Sequence, residues 1–137
     1  MFELIKFDII GNSSGNLVSL EGQKNIPFEI KRVYYIWGAS KNDIRGKHSH
    51  KNLEQIIICL SGECEFLLNN GSSTCTIKLN KPDEGLYLKS NIWREFYNFS
   101  KDCVLMILAS NYYEEDDYIR NFSDFLKNSQ TRNTVAG

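Results

Sequence analysis

A succession of short β-forming runs, broken by turn residues and followed by a single helical pattern, constrains this chain more than any other feature. The runs are Phe2 to Ile10, Leu17 to Glu21, Lys31 to Trp37, Lys47 to His50, Gln55 to Leu60, Glu63 to Asn69, Ser73 to Leu79, Gly85 to Leu88, Trp93 to Phe99 and Val104 to Ala109. They are rich in β-branched and aromatic residues, and strands at such close spacing predict an all-β sandwich or barrel. The best-marked piece is Glu63 to Asn69, where polar and apolar residues alternate before Asn70-Gly71, a pair suited to a type I′ turn. Cys75, Ile77 and Leu79 then alternate with Thr74, Thr76 and Lys78, which predicts a hairpin with one buried face. Ser123 is the expected N-cap of a short helix near the end. A single domain over residues 1–128, with 129–137 as a disordered tail, is the expected organisation.

Composition narrows the function classes. With 137 residues, 42% of them hydrophobic, the chain can bury one real core. Its 16 basic and 17 acidic residues nearly cancel, which removes the electrostatic footprint of a nucleic-acid binder. No apolar stretch approaches the roughly 20 residues of a membrane span, and the N-terminus lacks a basic region followed by an apolar one, so a cytoplasmic protein is expected. Cys59, Cys64, Cys75 and Cys103 sit in apolar runs without C-x-x-C spacing, the pattern of buried thiols. The acidic run Glu114 to Asp117 reads as solvated surface.

The chemistry-bearing feature is Arg45-Gly46-Lys47-His48-Ser49-His50, which holds the only two histidines. Alternate residues of a strand share a face, so both imidazoles point one way and Ser49 the other. Two imidazoles in one cavity suit proton transfer or metal ligation, and two solvated histidines at a strand end are the plainer alternative.

The set His48-Ser49-His50, Glu54, Gly62 resembles the first motif of the cupins. The segment matching their second motif, Gly85 to Phe96, keeps the leading glycine but has Asn91 and Trp93 at the turn positions and no histidine. Only His48, His50 and Glu54 then remain as a two-His, one-carboxylate set. A closer resemblance covers four ordered segments: Ile26 to Ile36, Arg45 to Gln55, Gly85-Leu86-Tyr87 with Trp93-Arg94-Glu95, and Leu108 to Tyr113 through Asp117 to Arg120. These are similar to the sugar 3,4-ketoisomerases, the small WxcM-like or FdtA-type cupins. The resemblance implies a cupin jelly roll with a short C-terminal helix, working as a homodimer without metal or other cofactor. It implies conversion of dTDP-4-keto-6-deoxyglucose to a dTDP-3-keto-6-deoxyhexose, in deoxysugar biosynthesis for bacterial surface glycans such as the O-antigen of lipopolysaccharide.

In a 4-ketosugar the carbonyl acidifies the C3 hydrogen, so a base can form a C3–C4 enediolate and a proton returned at C4 completes the reaction. The site needs a carbon acid-base, a proton route between O3 and O4, and donors for the oxyanion. His50 is the expected acid-base and His48 its helper. Strand parity admits one of Tyr34 and Tyr35, and Tyr35 is taken as the catalytic donor. Arg32 and Arg45 are candidates for the diphosphate. Trp93, Tyr97 and Tyr87 offer flat surfaces for thymine or deoxyribose. Arg94 and Glu95, polar in mid-strand, complete the expected substrate site. A nucleotide-sugar epimerase, a non-catalytic sugar-nucleotide-binding module and an iron-dependent oxygenase are the competing readings. Because Gly85 to Phe99 supplies no histidine, turnover is expected to survive exhaustive chelation. Loss with EDTA and recovery with iron or zinc would restore the oxygenase-type ligand set.

Overall fold

The computed structural model describes residues 1–136, with side chains through Gln130. In chain order the strands are β1 (Glu3–Lys6), β2 (Ile10–Asn12), β3 (Gly15–Leu17), β4 (Arg32–Trp37), β5 (Arg45–His50), β6 (Gln55–Ser61), β7 (Cys64–Asn69), β8 (Thr74–Leu79), β9 (Glu84–Leu88), β10 (Trp93–Tyr97), β11 (Val104–Ala109) and β12 (Tyr118–Ile119). A 3-10 turn, Glu115–Asp117, precedes β12, and the helix α1 (Phe122–Ala136) ends the described chain. Two five-stranded sheets form the sandwich, in the orders β1-β9-β6-β11-β4 and β12-β5-β10-β7-β8, and all their pairings are antiparallel. This is the jelly-roll architecture the runs predict.

Alternation decides what fills the space between the sheets. Ile57 and Cys59 of β6, Phe66 and Leu68 of β7, Leu86 and Leu88 of β9, and Leu105 and Ile107 of β11 point inward and are almost fully buried. Ile56, Ile57 and Ile58 are all buried, because β6 is covered on both faces. Its outer face carries a second apolar layer in which Phe7, Ile26 and Phe28, from the segment before β4, cover Ile56, Ile58, Tyr87 and Leu108.

Four local expectations are corrected. The run Leu17 to Glu21 is strand only at Leu17, which pairs with Ile10 in a small separate ribbon of β2 and β3. The hairpin of β7 and β8 has the expected register, with Asn69 opposite Thr74, but a four-residue loop replaces the type I′ turn. Asn70 Oδ1 accepts the N–H groups of Ser72 and Ser73, and of the Asn-Gly pair only Gly71 has positive φ, at 95°. The helix N-cap is Asn121 rather than Ser123: its Oδ1 accepts the Asp124 N–H at 3.1 Å, satisfying a donor the helix leaves free. The helix also continues beyond residue 128. Ser129 is buried and donates to the Asn70 carbonyl at 3.2 Å, which fits because Gly71 presents no Cβ there. For Gly137 and the side chains after Gln130, the expected tail lies outside the described residues.

Phe66 stacks on Phe96 with ring centroids 5.2 Å apart and is fully buried. Phe66→Ala is expected to cost about 3–5 kcal/mol in urea denaturation, against about 1 kcal/mol for Asn121→Ala, which removes one cap.

Candidate active site

β5 lies between β12 and β10, and a bulge marks its first half: the register with β10 shifts between His48 and Gly46, and Gly46 and Lys47 both have positive φ. Beyond the bulge, alternation turns His48 and His50 to the interior, with ring centroids 4.8 Å apart and nearly perpendicular planes. His48 Nδ1 donates to the Gly46 carbonyl at 2.9 Å, which leaves Nε2 as an acceptor. His50 Nδ1 donates to Asp117 Oδ2 at 3.0 Å, and His50 Nε2 is buried without a partner among the described residues. Burial first, and then the charge of Arg94, lower both imidazoles below the ordinary histidine value, His48 to about 4. Both rings are therefore neutral at physiological pH, each with an unprotonated Nε2.

The floor beneath them is polar and buried. Arg94, opposite His48 in the register of β5 and β10, is 1% exposed. Its Nε and Nη2 donate to the Ile92 carbonyl at 3.2 and 3.0 Å, and its Nη1 donates to Gln55 Oε1. Burial lowers its pKa to about 10, so it stays a cation. From the facing sheet, Gln55 Nε2 donates to the Tyr34 hydroxyl oxygen at 2.8 Å. Tyr34, His48, Gln55 and Arg94, with Ile57, Phe96 and Ile107, enclose a cavity of about 20 Å³.

The rim comes from the segment after β11. Asp117 accepts the Asn52 N–H through Oδ1 at 2.7 Å and the Lys51 N–H through its backbone carbonyl at 2.9 Å, besides holding His50. Tyr118, opposite His50 across β12 and β5, lies 4.4 Å from the His50 ring and 5.0 Å from the His48 ring. Arg120 stacks on Tyr118 at 4.2 Å and binds Glu115 through Nε and Nη2 at 2.9 and 3.0 Å. Arg32 stands 4.9 Å from the Tyr34 ring and 5.6 Å from the Tyr113 ring, its buried Nε without a partner.

Of the residues expected in the site, His48, His50, Arg94 and Arg32 are brought together. Tyr35 is not: β4 alternates so that Tyr34 faces the interior and Tyr35 is 63% exposed on the outer face. Because Arg94 faces inward, Trp93, Glu95 and Tyr97 face outward. Trp93 packs on Phe122 and Phe125 of α1, so it serves the docking of the helix, and it donates to Glu95 Oε2 at 3.0 Å. Arg45 is exposed, and Glu54 accepts the Tyr87 hydroxyl, a residue of the outer apolar layer. The set His48, His50, Glu54 is therefore not assembled. Sequence reasoning missed Gln55 and Tyr118, and it read Asp117 as solvated surface. The available signal was the family resemblance, whose segments include both Gln55, at the end of Arg45 to Gln55, and Asp117 to Arg120.

Comparison with known proteins bears on this geometry. Residues 1–130 match the family model described as FdtA, WxcM-like, C-terminal. The chain is 48% identical over 125 residues to a TDP-4-oxo-6-deoxy-α-D-glucose-3,4-oxoisomerase of Aneurinibacillus thermoaerophilus, covering 91% of this chain and 90% of the relative. A histidine-to-asparagine variant of the 3,4-ketoisomerase QdtA of Thermoanaerobacterium thermosaccharolyticum, in complex with TDP-4-keto-6-deoxyglucose, superimposes with a TM-score of 0.94 at 44% identity, over 96% and 95% of the two chains. The TDP-quinovose 3,4-ketoisomerase WlaRB of Campylobacter jejuni gives 0.89 at 47% identity, over 92% and 97%.

The lowered His48 pKa has a stability consequence. Above the unfolded value of 6.5 both states are neutral; below it the unfolded chain takes a proton that the folded one refuses until about pH 4. Lowering the pH from 7 to 5 is expected to cost about 2 kcal/mol through His48. Urea denaturation of His48→Gln should show a smaller loss over that interval, and an equal loss would show that other groups carry it.

Proposed function

The chain belongs to the FdtA, WxcM-like family, and from that membership together with the geometry of the histidine pocket we propose that it is a sugar 3,4-ketoisomerase acting on a TDP-linked 4-keto-6-deoxyglucose. The observation that carries the mechanism is His50. Its Nδ1 is bound to a carboxylate, and its Nε2 is a buried acceptor without a partner among the described residues.

In the proposed reaction His50 Nε2 removes the C3 hydrogen of the ketosugar as a proton. The pair of electrons released forms the C3–C4 double bond of the enediolate, and charge moves to O4. Tyr34, whose hydroxyl oxygen already accepts from Gln55, has its proton free for that oxygen. The Arg94 cation lies in the same pocket, 1% exposed, where exclusion of bulk water strengthens its field. His48 Nε2, beside His50, takes the proton from O3 as the C3 carbonyl forms and delivers it to O4, directly or through the Tyr34 hydroxyl, so that His48 ends the cycle neutral. The His50 imidazolium, steadied by Asp117, returns a proton to C4. No net electrons leave the sugar, so the chain's own residues suffice for the isomerisation.

Arg32 suits the diphosphate, since its buried Nε lacks a partner and its guanidinium is held between two tyrosine rings. We place the enzyme in the cytoplasm, in keeping with four free cysteines. We also propose a homodimer. β4 is an edge strand of its sheet, and Val33, Tyr35 and Trp37 on its outer face are 52%, 63% and 70% exposed, an apolar strip suited to a second copy.

Incubation with the ketosugar is expected to give the 3-keto isomer by NMR, with solvent deuterium entering at C4 to the extent that the imidazolium proton exchanges. His50→Asn should lower kcat by about 10²–10⁴ while TDP binding persists. Unchanged sugar with wild-type protein would sink the isomerase reading, and inversion beside an intact 4-ketone would make it an epimerase.

A further inference from the structure

We propose that Gln55 is a positioning residue that fixes the direction of the Tyr34 hydroxyl proton, by relaying to it the donor-only character of the buried Arg94. The role in turnover rests on the isomerase reading above; the hydrogen-bond relay does not.

The two ends of a glutamine amide are nearly equal in size and opposite in polarity, so an isolated buried glutamine can sit either way round. At Gln55 one neighbour removes the choice. A guanidinium has N–H groups only, so the atom facing Arg94 Nη1 must be Oε1. Nε2 is then the atom facing Tyr34, at 2.8 Å, and it can only donate. The phenol oxygen becomes an acceptor on that side, and its own proton points away from Gln55. The open direction is the cavity that Tyr34 shares with His48, where the isomerase reading puts the substrate oxygen. Gln55 is 2% exposed, so neither end of the amide faces bulk water.

The chain of polarity runs Arg94 to Gln55 to Tyr34, from one sheet of the sandwich to the other. A carboxylate at position 55 would break it. Both its oxygens accept, so the nearer one would draw the Tyr34 proton to itself and away from the substrate. An apolar side chain at position 55 would instead leave the phenol free to rotate.

The test compares Gln55→Glu and Gln55→Met with Tyr34→Phe, alone and, for Gln55→Met, in the pair. Gln55→Glu is expected to lower kcat by about 10²-fold, the scale of losing one oxyanion donor, with KM little changed. In the Tyr34→Phe background Gln55→Met should not lower kcat further, because the relay then ends on nothing; Gln55→Glu is left out of this pairing, since its carboxylate would also cancel the Arg94 charge. Independent, multiplying losses would overturn the proposal. The second readout needs no turnover: the ionisation of Tyr34, followed by NMR of tyrosine labelled at Cζ and assigned by its absence in Tyr34→Phe. Arg94, Arg32, Tyr118 and His48, the charged and titratable groups around Tyr34, are kept in both variants. Loss of the Gln55 donor should move the Tyr34 titration to higher pH in each. An unmoved titration in folded Gln55→Met overturns the relay even if Gln55→Glu does not fold. If wild-type protein leaves the ketosugar unchanged, the isomerase reading falls while the titration still decides the relay.

Discussion

A guanidinium buried between two sheets, with no carboxylate bonded to it, is the constraint on which the rest of this structure turns. Removing such a charge from water costs several kcal/mol unless its donors are satisfied. Arg94 is satisfied by the Ile92 carbonyl and the Gln55 amide oxygen, neither of which cancels its charge. The turn that presents Ile92 is itself anchored to the site. Asn91, in a left-handed conformation at φ 68°, donates its N–H to the His50 carbonyl at 2.6 Å. One short segment therefore fixes the cation and the strand carrying the base.

An uncancelled positive charge in a buried pocket acts twice. It opposes protonation of the neighbouring imidazoles, which keeps the base in its working form. It also favours any anion that develops beside it, which is what an enediolate requires. The same charge paired with a carboxylate would do neither. Asp117 meets the opposing need by bonding to the far nitrogen of His50, so the ring keeps its orientation and can hold a proton for part of the cycle.

Sequence reasoning reached the architecture because it rests on period-two alternation, which is local. Most strand runs survive within a residue or two, and the pairing of β7 with β8 follows from alternation alone. The same rule placed His48 and His50 on one face. It could not say which face of β4 or β10 looks inward, because both faces of those strands carry large or polar side chains. Tyr34 and Tyr35 differ only in parity, and the cation at Arg94, the least expected residue for an interior, decided the orientation of β10. Trp93 and Glu95 were misplaced for that reason: both lie on the outward face of β10, where Trp93 is buried under α1. Asp117 was illegible because its partner His50 lies 67 residues away, and an acidic run looks the same whether one member is tethered or not.

That separation also orders events as the chain is made. The histidines leave the ribosome with β5, but the residue that aligns His50 belongs to the turn before β12. At about 5–20 residues per second the interval is roughly 3–13 s. Through it a nascent chain can carry an imidazole pair without an oriented base. The rim strand β12 must add to the edge of β5 before the pocket is whole, so catalytic competence arrives with the last strand rather than with the residues that perform the chemistry.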